Sequence, residues 1–166
     1  MTESEPAPAI RGARPADVPG LVELLIQGAL VEGTEDRAED PDRAGIEDPY
    51  RVASYETALV EIQATTGCDV LVAELDEAVV GMCQLIVFRH FQAVGGRCAE
   101  IESVHVHPHW RGRGIGGRLV EEAVARATAW GCYRIQLTSN KARADAHRFY
   151  ERHGFVASHE GYKRVL

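Results

Sequence analysis

Residues 105–117 read HVHPHWRGRGIGG, alternate histidines ending against a proline and followed by arginines set among four glycines. Upstream, RCAEIESVHVHP at 97–108 has the composition and alternation of a strand. Downstream, GIGGRLVEEAVARATAWG at 114–131 puts Ile115, Leu119, Val120, Ala123, Val124 and Ala127 on one helical face and stops at Gly131. A strand therefore runs into a helix through a glycine-rich turn. The first turn of a helix leaves backbone N–H groups unpaired and carries the positive end of the helix dipole, so a phosphate fits there.

Working outward from that unit gives the element order. AIRGARPADVPGLVELLIQGAL at 9–30 reads as a short strand and a helix from about Ala16 to Leu30, with Asp17 near its start. The acidic stretch 32–48, EGTEDRAEDPDRAGIED, is expected to be a mobile loop, and YRVASYETALVEIQA at 50–64 regains helical spacing. CDVLVAEL, the turn DEA and VVGMCQLIVFRH then make a hairpin, which QAVGGR joins to the 97–108 strand. CYRIQLTSN at 132–140 reads as a buried strand, KARADAHRFYERHG at 141–154 as a helix, and the tail FVASHEGYKRVL as one or two final short strands. The expected fold is α+β: three layers, with a single mixed, mostly antiparallel sheet and helices on both faces. Residues 1–8 are expected to be disordered and 9–166 to form a single domain.

Composition narrows the function. No apolar run approaches the roughly 18 residues that span a bilayer, and the acidic, Pro-rich start MTESEPAPAI lacks the pattern of a secretory signal. Cys68, Cys83, Cys98 and Cys132 form no C-x-x-C pair, which argues against a zinc ribbon or redox motif and points to a reducing cytoplasm. A net charge of -7 argues against general nucleic-acid affinity. Arginines nevertheless crowd the later part of the chain, so an anion-binding surface is expected there.

Two other readings of the glycine turn fare worse. GRGIGG at 112–117 satisfies G-x-G-x-x-G, but the next strand closes on LTSN without the acidic residue that holds a ribose, and the preceding strands form a meander. A metal would need ligands converging at about 2 Å, whereas Pro108 turns the chain between His105, His107 and His109. No metal is expected.

The segment ESVHVHPHWRGRGIGGRLVEEA at 102–123 resembles the acetyl-CoA signature of the GNAT N-acetyltransferase superfamily, R-x-x-G-x-G, with Arg111, Gly114 and Gly116 in its fixed positions. LTSNKARADAHRFYERHGFV at 137–156 is similar to the later family block of strand, Asn, helix, F-Y and G-F. The resemblance implies a sheet whose two central strands, here Cys98 to His107 and YRIQLTS, splay apart to admit acetyl-CoA as cosubstrate. It implies that the pantetheine arm pairs with the backbone of Val104, His105 and Val106. The pyrophosphate is assigned to the turn formed by Arg111, Gly112, Arg113, Gly114, Ile115, Gly116 and Gly117. Asn140 either hydrogen-bonds the coenzyme arm or caps the next helix, and Arg143 and Arg148 are within the sequence reach of phosphates, although a solvated helix face accounts for both.

Acetyl transfer to an amine poses two proton problems. An alkyl amine, with a pKa of about 10.4, is almost wholly protonated at neutral pH, so a base must act. Glu100 and Glu102 stand two apart on one strand and share a face unless a bulge intervenes; Glu100 is favoured as base, with Glu102 the close second. The leaving thiolate needs a proton, and Tyr150 matches the family tyrosine that supplies it. The oxyanion would meet a backbone N–H at or near Val104. None of the cysteines is needed as nucleophile; Cys98 and Cys132 read as small core residues.

The ending DAHRFYERHGFVASHEGYKRVL is similar to that of aminoalkylphosphonate N-acetyltransferases, which implies a small-molecule amine bearing an anionic group, with His159, Lys163 or Arg164 toward it. The acidic stretch 32–48 would instead attract a cationic acceptor. The competing readings are an acetyl-CoA sensor without turnover and a protein lysine or N-terminal acetyltransferase. Family members often pair, so a homodimer is an expectation for which no stretch of sequence supplies an interface.

Overall fold

The structure, a computed structural model, describes residues 7–29 and 52–164. The expected mobile acidic loop, and residues 1–6 of the expected disordered start, lie outside the described residues. The described chain runs β1 (Ala9–Gly12), a 3-10 turn at Pro15–Asp17, α1 (Val18–Ala29), α2 (Val52–Ala64), β2 (Asp69–Leu75), β3 (Ala78–Arg89), β4 (Arg97–Val106), α3 (Ile115–Ala129), β5 (Cys132–Leu137) and α4 (Ala144–Arg152).

One five-stranded sheet has the order β1-β2-β3-β4-β5. The first four strands are antiparallel neighbours; the hairpin signals predict this for β2, β3 and β4, whereas β1 joins β2 from beyond α1 and α2, and β5 pairs parallel to β4 after the α3 crossover. The β2–β3 turn is tight because Asp76 and Glu77 both take left-handed conformations, φ 47° and 65°.

β2 reads as a nearly continuous apolar run because both of its faces are covered. Leu71, Ala73 and Leu75 join Leu119, Val120, Ala123 and Ala127 of α3 on one face. Val70 and Val72 join Val18, Leu21, Val22 and Leu24 of α1 and Leu59 of α2 on the other. Each fully buried aliphatic side chain contributes about 1.5–3 kcal/mol. An ion-pair fork ties the entry to α1 onto the sheet: Arg11 bonds Asp17 through both terminal nitrogens, at 2.6 and 2.9 Å, and also pairs with Glu74. Beside Arg11, the Asp17 carboxyl sits below the usual carboxylate range.

Two expectations are corrected. β5 is not a buried strand: Tyr133 and Arg134 are exposed and Cys132 is only half-buried, whereas Cys98 and Cys83 are wholly buried. The tail supplies no strand among the described residues. Phe155 packs on the core, but Val156 and Tyr162 stand 81% and 89% exposed. The two corrections have one cause. ASHEGYKR lacks the alternating apolar residues that would hold a further strand against the sheet, so β5 is left as the last strand described.

Candidate active site

The site is set by the register of β4 against its two neighbours. Gln84 stands opposite Glu102 and Met82 opposite His105, so Ser103 and Val104 together face Cys83. This is a β-bulge, and Ser103 carries its left-handed backbone at φ 53°. The bulge falls after Glu102, so Glu100 and Glu102 keep one side of the sheet, opposite Ala99 and Ile101 in the α3 core. Beyond it Val104 and Val106 turn into that core, and His105 turns toward α1. The His105 ring lies against Gly28, where a methyl group would overlap it.

On its other edge β4 pairs with β5 from Arg97↔Cys132 to Ile101↔Leu137, and there the pairing ends. From Glu102 onward β4 has no β5 partner, so the two strands part beside the bulge. The splay is therefore present, with β5 as the last described strand rather than a central one. Of the backbone expected to pair with a coenzyme arm, the Val106 carbonyl already accepts a bond from Arg111 Nε at 3.1 Å.

The glycine turn closes the end of the splay. Gly112 and Gly114 take φ 76° and 77°, a conformation that side-chain-bearing residues rarely adopt, and Gly114 caps α3. The first bond there runs from Arg118 N–H to the Gly114 carbonyl, 3.1 Å, which leaves the N–H groups of Ile115, Gly116 and Gly117 outside the helical ladder. Gly117 serves packing instead. A Cβ there would come within 2.8 Å of the ring of His153, the residue that closes α4. Arg113 lies 4.7 Å over the Trp110 ring, and with Arg118 these residues line a cleft beside the turn. The arrangement is a cationic cradle of backbone donors, suited to an anion.

Tyr150 projects from α4 on the α3 side, edge-on to Phe149 and Phe155 with ring centroids 5.1 and 5.9 Å away. Its hydroxyl makes no hydrogen bond among the described residues. Burial raises its pKa above the ordinary phenol value; the Arg143 charge acts against the rise, and the Cys83 and Glu102 charges add to it. The Glu102 charge thus acts on the Tyr150 hydroxyl. Glu100 lies within the paired stretch, opposite Gln136, whose amide donates to its carboxylate at 3.2 Å.

Other expected site residues are placed differently. Asn140 does not cap α4, whose N-cap is Arg143; its Oδ1 accepts from Ala142 N–H at 2.9 Å in a local turn. Arg148 pairs with Asp145 on the exposed face of α4. His107 and His109 stack edge-on at 5.3 Å while His105 faces α1, so the three imidazoles do not converge. His159 contacts Ser158, and Lys141, in the turn before α4, ties to the tail through Glu160 at 3.2 Å. Gln136 escaped sequence reasoning because its place opposite Glu100 depends on a parallel register that no local pattern encodes.

The acetyltransferase (GNAT) family matches residues 34–155. The chain is 36% identical over 88 residues to an aminoalkylphosphonate N-acetyltransferase of Salmonella typhimurium, covering 53% of this chain and 56% of that protein. It is 33% identical over 87 residues to a glucosamine 6-phosphate N-acetyltransferase of Trypanosoma brucei brucei, covering 52% and 56%. The chain thus spans little more than half the length of these curated relatives. A crystal structure from Bacillus halodurans C-125, described as a transcriptional regulator, superposes with a TM-score of 0.82 at 38% identity over 96% of this chain and 99% of that one.

Proposed function

The chain belongs to the acetyltransferase (GNAT) family, and from that premise we propose that it transfers the acetyl group of acetyl-CoA to the primary amine of a small molecule bearing a phosphonate or phosphate group. The observation that carries the reading is the end of β4–β5 pairing at Ile101↔Leu137, with Glu102 and Tyr150 flanking the gap and the glycine turn closing it. Both curated relatives reported above are named for amines that also carry phosphorus, which supports the acceptor class.

In this mechanism the donor's pantetheine arm lies along the unpaired edge of β4, and its pyrophosphate meets the N–H groups of the 112–117 turn. Glu102 takes a proton from the ammonium, directly or through water, and the free amine attacks the thioester carbon. It stands past the last β4–β5 pair, at the opening, whereas Glu100 lies inside the paired stretch opposite Gln136. The bulged backbone near Val104 offers an N–H to the oxyanion. As the tetrahedral intermediate collapses, the C–S bond breaks and Tyr150 gives its proton to the departing thiolate. A phenol with a raised pKa keeps that proton at neutral pH, as a general acid must. All four cysteines are free thiols, in keeping with a reducing compartment, and none is asked to act.

The test is acetyl-CoA-dependent release of CoA across aminoalkylphosphonates, amino-sugar phosphates, polyamines, aminoglycosides and short peptides. Turnover confined to the phosphorus-bearing amines supports the proposal. Turnover of peptides alone moves the acceptor to protein, and tight acetyl-CoA binding without any turnover leaves a sensor module.

A further inference from the structure

We propose that the end of the sheet opposite the splay is a peripheral docking surface for an anionic lipid bilayer, with Phe91 and Val94 as the side chains that enter it.

Arg89, Arg97 and Cys132 share one row of the sheet, so the β3–β4 and α3–β5 connections lie together at that end. In the first connection Ala93, Val94 and Gly95 are all left-handed, at φ 51°, 56° and 70°. That backbone is costly for a residue with a side chain, and most of all for the β-branched Val94. Three hydrogen bonds hold it: His90 N–H to the Gly96 carbonyl at 2.8 Å, Gly96 N–H to that of Ala93 at 3.0 Å, and Arg89 to that of Gly95 at 2.9 Å. The turn presents Phe91 and Val94, 102% and 106% exposed, so nothing in the protein shelters either. Beside them the Tyr133 hydroxyl pairs with His90 Nδ1 at 3.0 Å, and Arg97 donates to the Trp130 carbonyl at 3.1 Å. Two more exposed aromatic rings thereby join the patch. Apolar side chains held in water on strained backbone, away from the reacting groups, serve neither the core nor the reaction and mark an interaction surface.

Charge and shape select the partner. Residues 89–97 and 128–134 carry Arg89, Arg97 and Arg134 and no Asp or Glu, in a chain of net charge -7. Arg97 and Arg134 lie over the Trp130 and Tyr133 rings, 5.8 and 5.5 Å from their centroids. None of the three arginines pairs with a carboxylate among the described residues. A second copy seated two-fold on this patch would set arginine against arginine. A protein partner would need a pocket shaped to each projecting side chain, whereas acyl chains close around them without one. Trp130 and Tyr133 then lie at headgroup level, and the arginines meet the lipid phosphates. No helix among the described residues is long and apolar enough to cross a membrane, and this contact needs none.

The experiment is co-sedimentation of the full chain with vesicles of phosphatidylglycerol and phosphatidylcholine, beside vesicles of phosphatidylcholine alone. The wild type should bind the anionic vesicles, bind the others far less, and come off at high salt. Phe91→Ser should weaken binding about 10-fold and Arg134→Gln about 5-fold. Val94→Gly separates docking from folding: glycine takes φ 56° without strain, so this variant melts no lower than the wild type yet binds the vesicles less. No binding to the anionic vesicles overturns the proposal, as does full-strength binding by Phe91→Ser. Binding to polyglutamate but not to vesicles would assign the patch to an acidic protein instead. A dimer in sedimentation equilibrium that Phe91→Ser dissolves would assign it to a second copy.

Discussion

Tyr150 carries the sharpest consequences. Its ring is packed between Phe149 and Phe155 while its hydroxyl makes no hydrogen bond among the described residues, so Tyr150→Phe keeps the packing and removes only the proton donor. The account predicts a loss of about 100-fold in kcat with a melting temperature close to the wild type's, read from steady-state kinetics beside a thermal scan. Glu102→Gln should reduce kcat/KM by a similar factor, about 100-fold at neutral pH. Without a base the rate follows the free-amine fraction, so this variant recovers about tenfold per pH unit toward the amine's own pKa. A pH profile parallel to the wild type's would remove Glu102 from the role. Tyr150 was legible because it sits in a run, HRFYERHGF, whose spacing carries information. Gln136 was not: what distinguishes it is a cross-strand neighbour, a product of tertiary register.

Between elements, the four glycines of the turn divide their labour. Gly112 and Gly114 supply left-handed backbone, whereas Gly117 lets α4 approach α3 closely enough for His153 to rest on it and reach Glu121 at 3.1 Å. Gly117→Ala should therefore cost about 1–3 kcal/mol in chemical denaturation, by overpacking this contact. Its kcat should fall as well, since α4 bears Tyr150; an unchanged denaturation midpoint would show that the helices separate freely. The strand–turn–helix unit, the hairpin and the four main helices were readable because periodicity and turn chemistry are local. The tail was misread for the opposite reason. A strand at a sheet edge exists only if its side chains find a surface to bury against, and beyond Phe155 this tail buries little.

The sheet as a whole divides its chemistry between two faces: α3 and α4 pack on the side of the tyrosine, and α1 and α2 on the side of the carboxylates and His105. At its centre Cys83 is wholly buried, and burial pushes its thiol from an ordinary 9.0 up to about 12. Tyr150 shifts in the same direction from 10.0. A group whose folded pKa is raised contributes stability that is complete below its unfolded pKa and is lost as pH rises through the folded one. Stability should thus hold to about pH 9 and fall steadily toward 12. Cys83→Ala should be less stable at neutral pH but lose less on the way up, measured by urea unfolding at each pH. The central claim is that the acetyl donor enters between β4 and β5 with its phosphates on the glycine turn. Its most direct test is a titration of the nitrogen-labelled protein with acetyl-CoA, followed amide by amide in NMR spectra. The account predicts that the largest shifts cluster at residues 102–106 and 112–117. Saturable binding with those amides silent and the shifts elsewhere, or no binding at all, would contradict it.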